Sequence, residues 1–307
     1  MQSAQEVKYL GDMLHENGKP NSTVSSRIKR GYAIVAQILA HLNDLPLGNL
    51  RVEVGLALRQ AWLINGMLFN CEVWNKTTAY QEEQLMSIYK YLLRGILSTH
   101  AKTPIEFIYL EIGALPLSYV MSVRRMIYLQ TILKRHEGEI TRRVYECQKQ
   151  NPSQGDWCEQ IKEDFNSINM HINEEHIATM DSASYKNTNK QAVRNKAFRD
   201  LELLKEGHSK LWENVYYWLK CPQSYLTNRS VTTQQRSIIF GLKSRTIRGI
   251  KLNFKHHFAD NTLCPICECF KGHQTISNTC NIPKHLYCGS TVYHCFFDRV
   301  ASFKNSL

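Results

Sequence analysis

Leu85, Ile88, Tyr89, Leu92, Leu93 and Ile96 recur at i, i+3, i+4, i+7, i+8 and i+11, so that each lies three or four residues from others of the set. That spacing tracks the 3.6-residue turn of an α-helix and puts all six apolar side chains on one stripe. A chain carrying such a stripe must bury it, so this segment is expected to be a helix with one face in a core. Helical patterning extends on both sides, from about residue 21 to about residue 255, and the predicted fold is mainly α. Asn21 or Ser22 can cap a helix running to about residue 42, and a second helix is expected over about 49–69. Thr103-Pro104-Ile105-Glu106 is a start signal: Thr103 can cap, Pro104 suits the first helical position and Glu106 can close a capping box. Further helices are expected over 117–135, 139–150 and 156–168, with the turn-forming residues 151–155 between the last two.

Only residues 7–14 alternate in the manner of a strand. With the turn dipeptide Asn17-Gly18 after them, they read as a short N-terminal strand or β-hairpin. Residues 169–190 are polar and weakly periodic and read as a linker or a frayed region. A charged helix is expected over about 191–206, followed by one with Leu211, Val215 and Trp218 on a single face, stopped by Pro222. The predicted division is a hairpin at 1–18, a helical domain at 19–168, a linker at 169–190, a basic helical region at 191–259 and a Cys/His-rich segment at 260–307.

Charge narrows the function. The chain has 38 Lys+Arg against 27 Asp+Glu, a formal charge of +11, which favours a polyanionic partner. Between residues 214 and 259 there is no Asp or Glu, while Lys220, Arg229, Arg236, Lys243, Arg245, Arg248, Lys251 and Lys255 are all present. A solvated helix face normally mixes both signs. Here one sign is missing, and Tyr216, Tyr217, Trp218, Tyr225, Phe240 and Phe254 are interleaved with the cations. Phosphate contact with base stacking is the expectation, with RNA or DNA as partner. Arg229, Arg236, Lys243, Arg245, Arg248, Lys251 and Lys255 are the candidate nucleic-acid-binding residues.

The hydrophobic fraction of 43% argues against wholesale disorder. The most apolar stretch, 56–74, is interrupted by Arg59, Gln60, Asn65, Asn70 and Glu72, short of the roughly 20 apolar residues of a membrane span. No membrane partner is expected. Residues 1–14 lack the apolar core of a signal peptide. An intracellular protein of nucleus or cytoplasm is therefore expected, its cysteines reduced or bound to metal.

Six of the ten cysteines lie after residue 263. Cys264-Pro265-Ile266-Cys267 is a Cys-x-x-Cys knuckle, whose two thiolates reach one tetrahedral ion. Two second pairs are available: His273 with Cys280, or His285 with Cys288. Zinc is the metal this donor set suits. Cys71, Cys147, Cys158 and Cys221 are scattered and read as ordinary packing residues.

Several segments taken in order look familiar. They are Val7-Lys8-Tyr9-Leu10-Gly11, Asn65-Gly66 with Glu72-Val73-Trp74, and Pro104-Ile105-Glu106-Phe107-Ile108-Tyr109-Leu110-Glu111-Ile112-Gly113. Then come Arg124-Arg125-Met126-Ile127-Tyr128-Leu129-Gln130-Thr131-Ile132-Leu133-Lys134, Gly155-Asp156-Trp157, His208-Ser209-Lys210, Asn253-Phe254 and the knuckle. The ordered set, over about residues 7–288, resembles the C-terminal part of reverse transcriptases of LINE-type (non-LTR) retrotransposons. The similar branch is the one whose polymerase is followed by a zinc knuckle and a restriction-like endonuclease.

The resemblance implies that the hairpin is the end of the palm, that the helices after it are a thumb, and that the remainder is the linker before the knuckle. The paired catalytic aspartates of that family belong upstream of the Val7–Gly11 segment, so a non-catalytic fragment is expected. Phe258-Ala259-Asp260-Asn261 resembles an aspartate box, but it has one Asp and directly precedes the knuckle, so it is set aside. Within the knuckle Cys264, Cys267 and Cys280 fall in register with the family. The His position falls on Ile276, for which His273 can substitute. After Cys288 only Asp298 is acidic, which does not furnish a nuclease.

Other catalytic patterns fail on geometry. His171 and His176 are five residues apart, about 140° around a helix, and cannot share an ion from one face. No GxxxxGK phosphate loop and no G-x-S-x-G elbow occurs. A second reading, from a different class, is a helical adaptor with protein partners and a structural zinc site.

Overall fold

A computed structural model describes the side chains of residues 20–204 apart from gaps at 46, 48–49 and 100–102. It also describes the backbone of 6–9, 12–15 and 205–208, and the single positions Leu226, Arg236 and Phe240. Within these residues the protein is mainly α-helical, in line with the periodicity. Strands β1 (Glu6–Tyr9) and β2 (Asp12–His15) pair antiparallel, Val7 opposite Leu14 and Lys8 opposite Met13.

Helix α1 (Asn21–Asp44) is followed by α2 (Arg51–Leu58), which widens into a π-helical stretch, Arg59–Ile64, and tightens again as α3 (Asn65–Met67). The helix expected over 49–69 therefore exists with a π segment inside it. It ends where Asn70 takes the left-handed conformation (φ +58°), which Asn tolerates better than most residues, before the 3₁₀ turn Cys71–Val73. Helix α4 (Ala79–Leu97) opens with a reciprocal capping box. The Gln81 N–H donates to Thr78 Oγ1 and the Thr78 N–H donates to Gln81 Oε1, both at 3.2 Å. All six residues of the stripe from Leu85 to Ile96 are buried.

Helix α5 (Ile105–Ile112) begins one residue later than the start signal suggests. Pro104 has an extended ψ of 135° and occupies the cap position itself, while Thr103 is fully buried and its carbonyl accepts from Arg94 at 3.1 Å. Gly113 ends the helix at φ +63°, where a Cβ would be strained. Next come α6 (Leu117–Leu133), α7 (Ile140–Gln150) and α8 (Trp157–Ser167), the last capped by Asp156, which accepts from the Glu159 N–H at 2.7 Å.

The expected linker at 169–190 is corrected. It contains α9 (Glu174–Thr179) and the start of α10 (Ser182–His208), so the helix expected from 191 begins at Ser182. Polar composition misled here because most of those side chains face solvent while Tyr185 and Asn189 are buried.

Two apolar clusters hold the helices together. The first gathers Val35, Ile38, Leu63, Met67, Leu85, Ile88, Leu92, Ile108 and Leu110, and reaches Leu117 and Met121 of α6 and Phe198 and Leu201 of α10. The second is built from Met126, Leu129, Trp157, Ile161, Phe165, Tyr185 and Val193. Each large side chain withdrawn from water contributes roughly 1.5–3 kcal/mol before conformational entropy is set against it. Helices α6 and α10 feed both clusters and are the common spine. Among the described residues no single helix is long and apolar enough to cross a membrane. The bent pair α5–α6 meets the length and composition test jointly, but much of its apolar surface lies inside the two clusters.

Candidate nucleic-acid interface

Most residues singled out from sequence lie outside the described residues: Arg229, Lys243, Arg245, Arg248, Lys251 and Lys255, and likewise Cys264, Cys267, His273, Cys280, His285 and Cys288. Arg236 is described and is only 3% exposed. Its guanidinium is taken up inside the protein, so it is not one of a solvent-facing row of cations. Among the described residues no group of three or more His, Cys, Asp or Glu is placed to hold a metal. His176 lies in α9 and His171 precedes that helix, so the two do not share a helical face.

A different basic surface is present. A cleft of about 930 Å³ lies between α6 and α10 and is lined also by the π-helical stretch. Arg124 comes from α6, and Lys186, Lys190 and Arg194 come from α10, against the single carboxylate Glu72. The three α10 cations are four residues apart, so they share a face and rise by about 6 Å per step. Gln60, Asn187 and Gln191 add amide donors and acceptors, and Val120, Val123 and Ile127 supply apolar lining.

Each wall is fixed by identifiable contacts. Arg124 donates to the Leu68 carbonyl (2.5 Å) and to Asn65 Oδ1 (3.3 Å), tying α6 to the end of the π-helical segment. The Trp157 indole N–H donates to the Glu72 carbonyl at 2.7 Å. On the other side Tyr185 donates to the Met126 carbonyl at 3.1 Å, and Gln130 donates to the carbonyls of Ile177 and Met180, both at 3.0 Å. Tyr119 donates to Asp200, which also accepts from Lys196 at 2.5 and 2.8 Å. Burial alone would push the Asp200 carboxyl up, but the bonds from Lys196 and Tyr119 outweigh it and hold the group below the usual carboxylate range. Burial, and then the Asp200 neighbour, push the Tyr119 phenol up, so it remains a proton donor.

The four cations differ in how far they are committed. Arg124 is bound as above, and Arg194 donates to the Gly113 carbonyl at 3.4 Å with its guanidinium 5.2 Å from the Phe198 ring centre. Lys186 and Lys190 are exposed, and neither meets a carboxylate among the described residues. By contrast Lys196, further along the same helix, is paired with Asp200. Among the described residues Lys186 and Lys190 are therefore positive charges without a neighbouring acid, and Glu72 is the one carboxylate that lines the cleft. Such an arrangement suits anion binding.

Reading residues 169–190 as a linker concealed these positions. The signal was available as Lys186, Lys190 and Arg194 at helical spacing, but only to a reading that made the segment a helix. Comparison with known proteins finds no matching family model, no matching curated protein and no matching solved structure.

Proposed function

We propose that this chain is a non-catalytic nucleic-acid-binding body, similar to the thumb, linker and zinc-knuckle region of a LINE-type reverse transcriptase. The observation that carries the reading is the cleft with four cations against one carboxylate. The acid-free stretch at 214–259, with its interleaved aromatics, supports the same partner class. On this reading β1 and β2 correspond to the end of the palm, and the cysteine-rich end folds around zinc through Cys264 and Cys267 with His273 and Cys280, or with His285 and Cys288.

The test is binding of labelled RNA and DNA to the full chain as salt is varied. The logarithm of the association constant should fall linearly with the logarithm of salt concentration, through counterion release. No detectable binding at low salt would refute the proposal.

The adaptor reading also has an observation in its favour. Ile140 and Val144, one turn apart on α7, are 79% and 51% exposed. A partner held there would bind with little dependence on salt, which distinguishes the two readings.

A further inference from the structure

We infer that the cleft between α6 and α10 holds a single strand of nucleic acid, laid along α10 with one phosphate per helical turn, and excludes a duplex. This rests on the nucleic-acid reading above and adds the form of the ligand and its register.

Spacing supports it first. Lys186, Lys190 and Arg194 advance by about 6 Å per step along one helix face, a rise comparable to the phosphate spacing of an extended single strand. Arg124 faces them from the other wall. Width supports it next. Directly packed helices have axes only about 8–10 Å apart, so the furrow along their seam is shallow and narrow beside the roughly 20 Å breadth of a double helix, which would touch only its rim. The volume of about 930 Å³ is at the upper end of the roughly 300–1,000 Å³ usual for ligand clefts, enough for a few nucleotides.

The lining gives a third reason. Apolar Val120 and Ile127, both half-buried, offer a dry surface to base faces, and Gln60 and Asn187 offer amides to base edges or sugars. Splayed single-stranded bases can use both kinds of group, and paired bases in a duplex cannot. A solvated helix face would not by itself bring Lys186 and Lys190, neither of which meets a carboxylate among the described residues, to the same cleft as Arg124.

The experiment measures fluorescence anisotropy of the full chain with a labelled single strand of about twelve nucleotides and with a duplex of the same length. Salt is varied between about 50 and 200 mM. The cleft variant is Lys186→Gln with Lys190→Gln, both exposed and outside the core; its fold is checked by circular dichroism. The comparison variant is Arg248→Gln with Lys251→Gln.

The cleft variant should lower the single-strand salt slope by about 1.4, from about 0.7 per lost phosphate contact, and weaken single-strand binding roughly tenfold near physiological salt. Duplex binding should be unchanged by it. An unchanged single-strand slope, or equal losses for both ligands, overturns the inference while nucleic-acid binding stands. So does a poly-glutamate peptide that binds with the same dependence on Lys186 and Lys190. Failure of the unaltered chain to bind either nucleic acid overturns both the inference and the reading beneath it.

Discussion

Removing the Asp164 carboxylate should be one of the most damaging single substitutions in the second cluster. Arg125 of α6 meets Asp164 of α8 in a two-pronged pair, Nε to Oδ2 at 2.6 Å and Nη2 to Oδ1 at 2.9 Å, with Ser122 Oγ donating to Oδ1 at 2.6 Å. The two side chains are only 9% and 5% exposed. Asp164→Ala would leave the guanidinium desolvated and without its counter-charge, a change that costs about 3–5 kcal/mol. Against a typical domain stability of about 5–15 kcal/mol that is a large share. Replacing both partners with apolar residues of similar volume, Arg125→Met with Asp164→Leu, removes the desolvated charges together and should be near neutral or stabilising. Urea unfolding followed by circular dichroism provides the measurement. The midpoint should fall sharply for Asp164→Ala with little change in slope, and should recover in the double variant. A loss below about 1 kcal/mol for Asp164→Ala would mean that water reaches the guanidinium, contrary to the burial on which the argument depends.

Two further outcomes follow from other groups. Glu174 accepts from Tyr145 and Lys149, both at 2.8 Å. Burial alone would raise its carboxyl, but the bonds from Lys149 and Tyr145 hold it below the usual value, as Lys196 and Tyr119 do for Asp200. A carboxyl depressed in the fold contributes stability that is fully present above its unfolded value, about 3.9–4.3 for Asp and Glu. That contribution is lost as pH falls through the lower folded values, so urea midpoints should decline below about pH 4, and Glu174→Gln with Asp200→Asn should flatten that decline. A decline of the same size in the double variant would count against these two groups as its source. For the cysteine-rich end, the purified chain should carry about one zinc, measured by elemental analysis and lost in Cys264→Ser; metal-free protein with unchanged folding would remove the proposal.

Legibility from sequence depended on how much of each buried stripe was apolar. Helix α4 was plain because its core positions from Leu85 to Ile96 are Leu, Ile and Tyr without interruption, whereas its capped start at Thr78 and Gln81 emerged only in the structure. The π-helical stretch was not, since one extra residue in a helical turn leaves no mark in composition. Leu63, Ile64 and Met67 simply look like more helix. The cap of α5 was misplaced by one residue because Pro104 can stand either at the cap or just after it, and its extended ψ of 135° decides for the cap.

Helix α10 shows how a misread element hides the residues it carries. Its core-facing positions Tyr185, Asn189, Val193, Ala197 and Leu201 are four residues apart and all buried. Asn189 donates its amide N–H to the Tyr185 carbonyl at 3.0 Å one turn back, while its buried Oδ1 has no partner among the described residues, so this polar residue sits in the stripe only half satisfied. Ala197 is small. In the first half of the helix only Tyr185 and Val193 then stand out, eight residues apart, and no helical period is visible until Phe198 and Leu201 join them. Lys186, Lys190 and Arg194 each follow a stripe residue by one position, about 100° around the axis, at the edge of the buried face. That register turns three scattered cations into the wall of a cleft. Without it the acid-free stretch at 214–259, conspicuous in composition alone, drew the whole electrostatic argument, although charge count ranks the two segments by quantity and the cleft is distinguished by position.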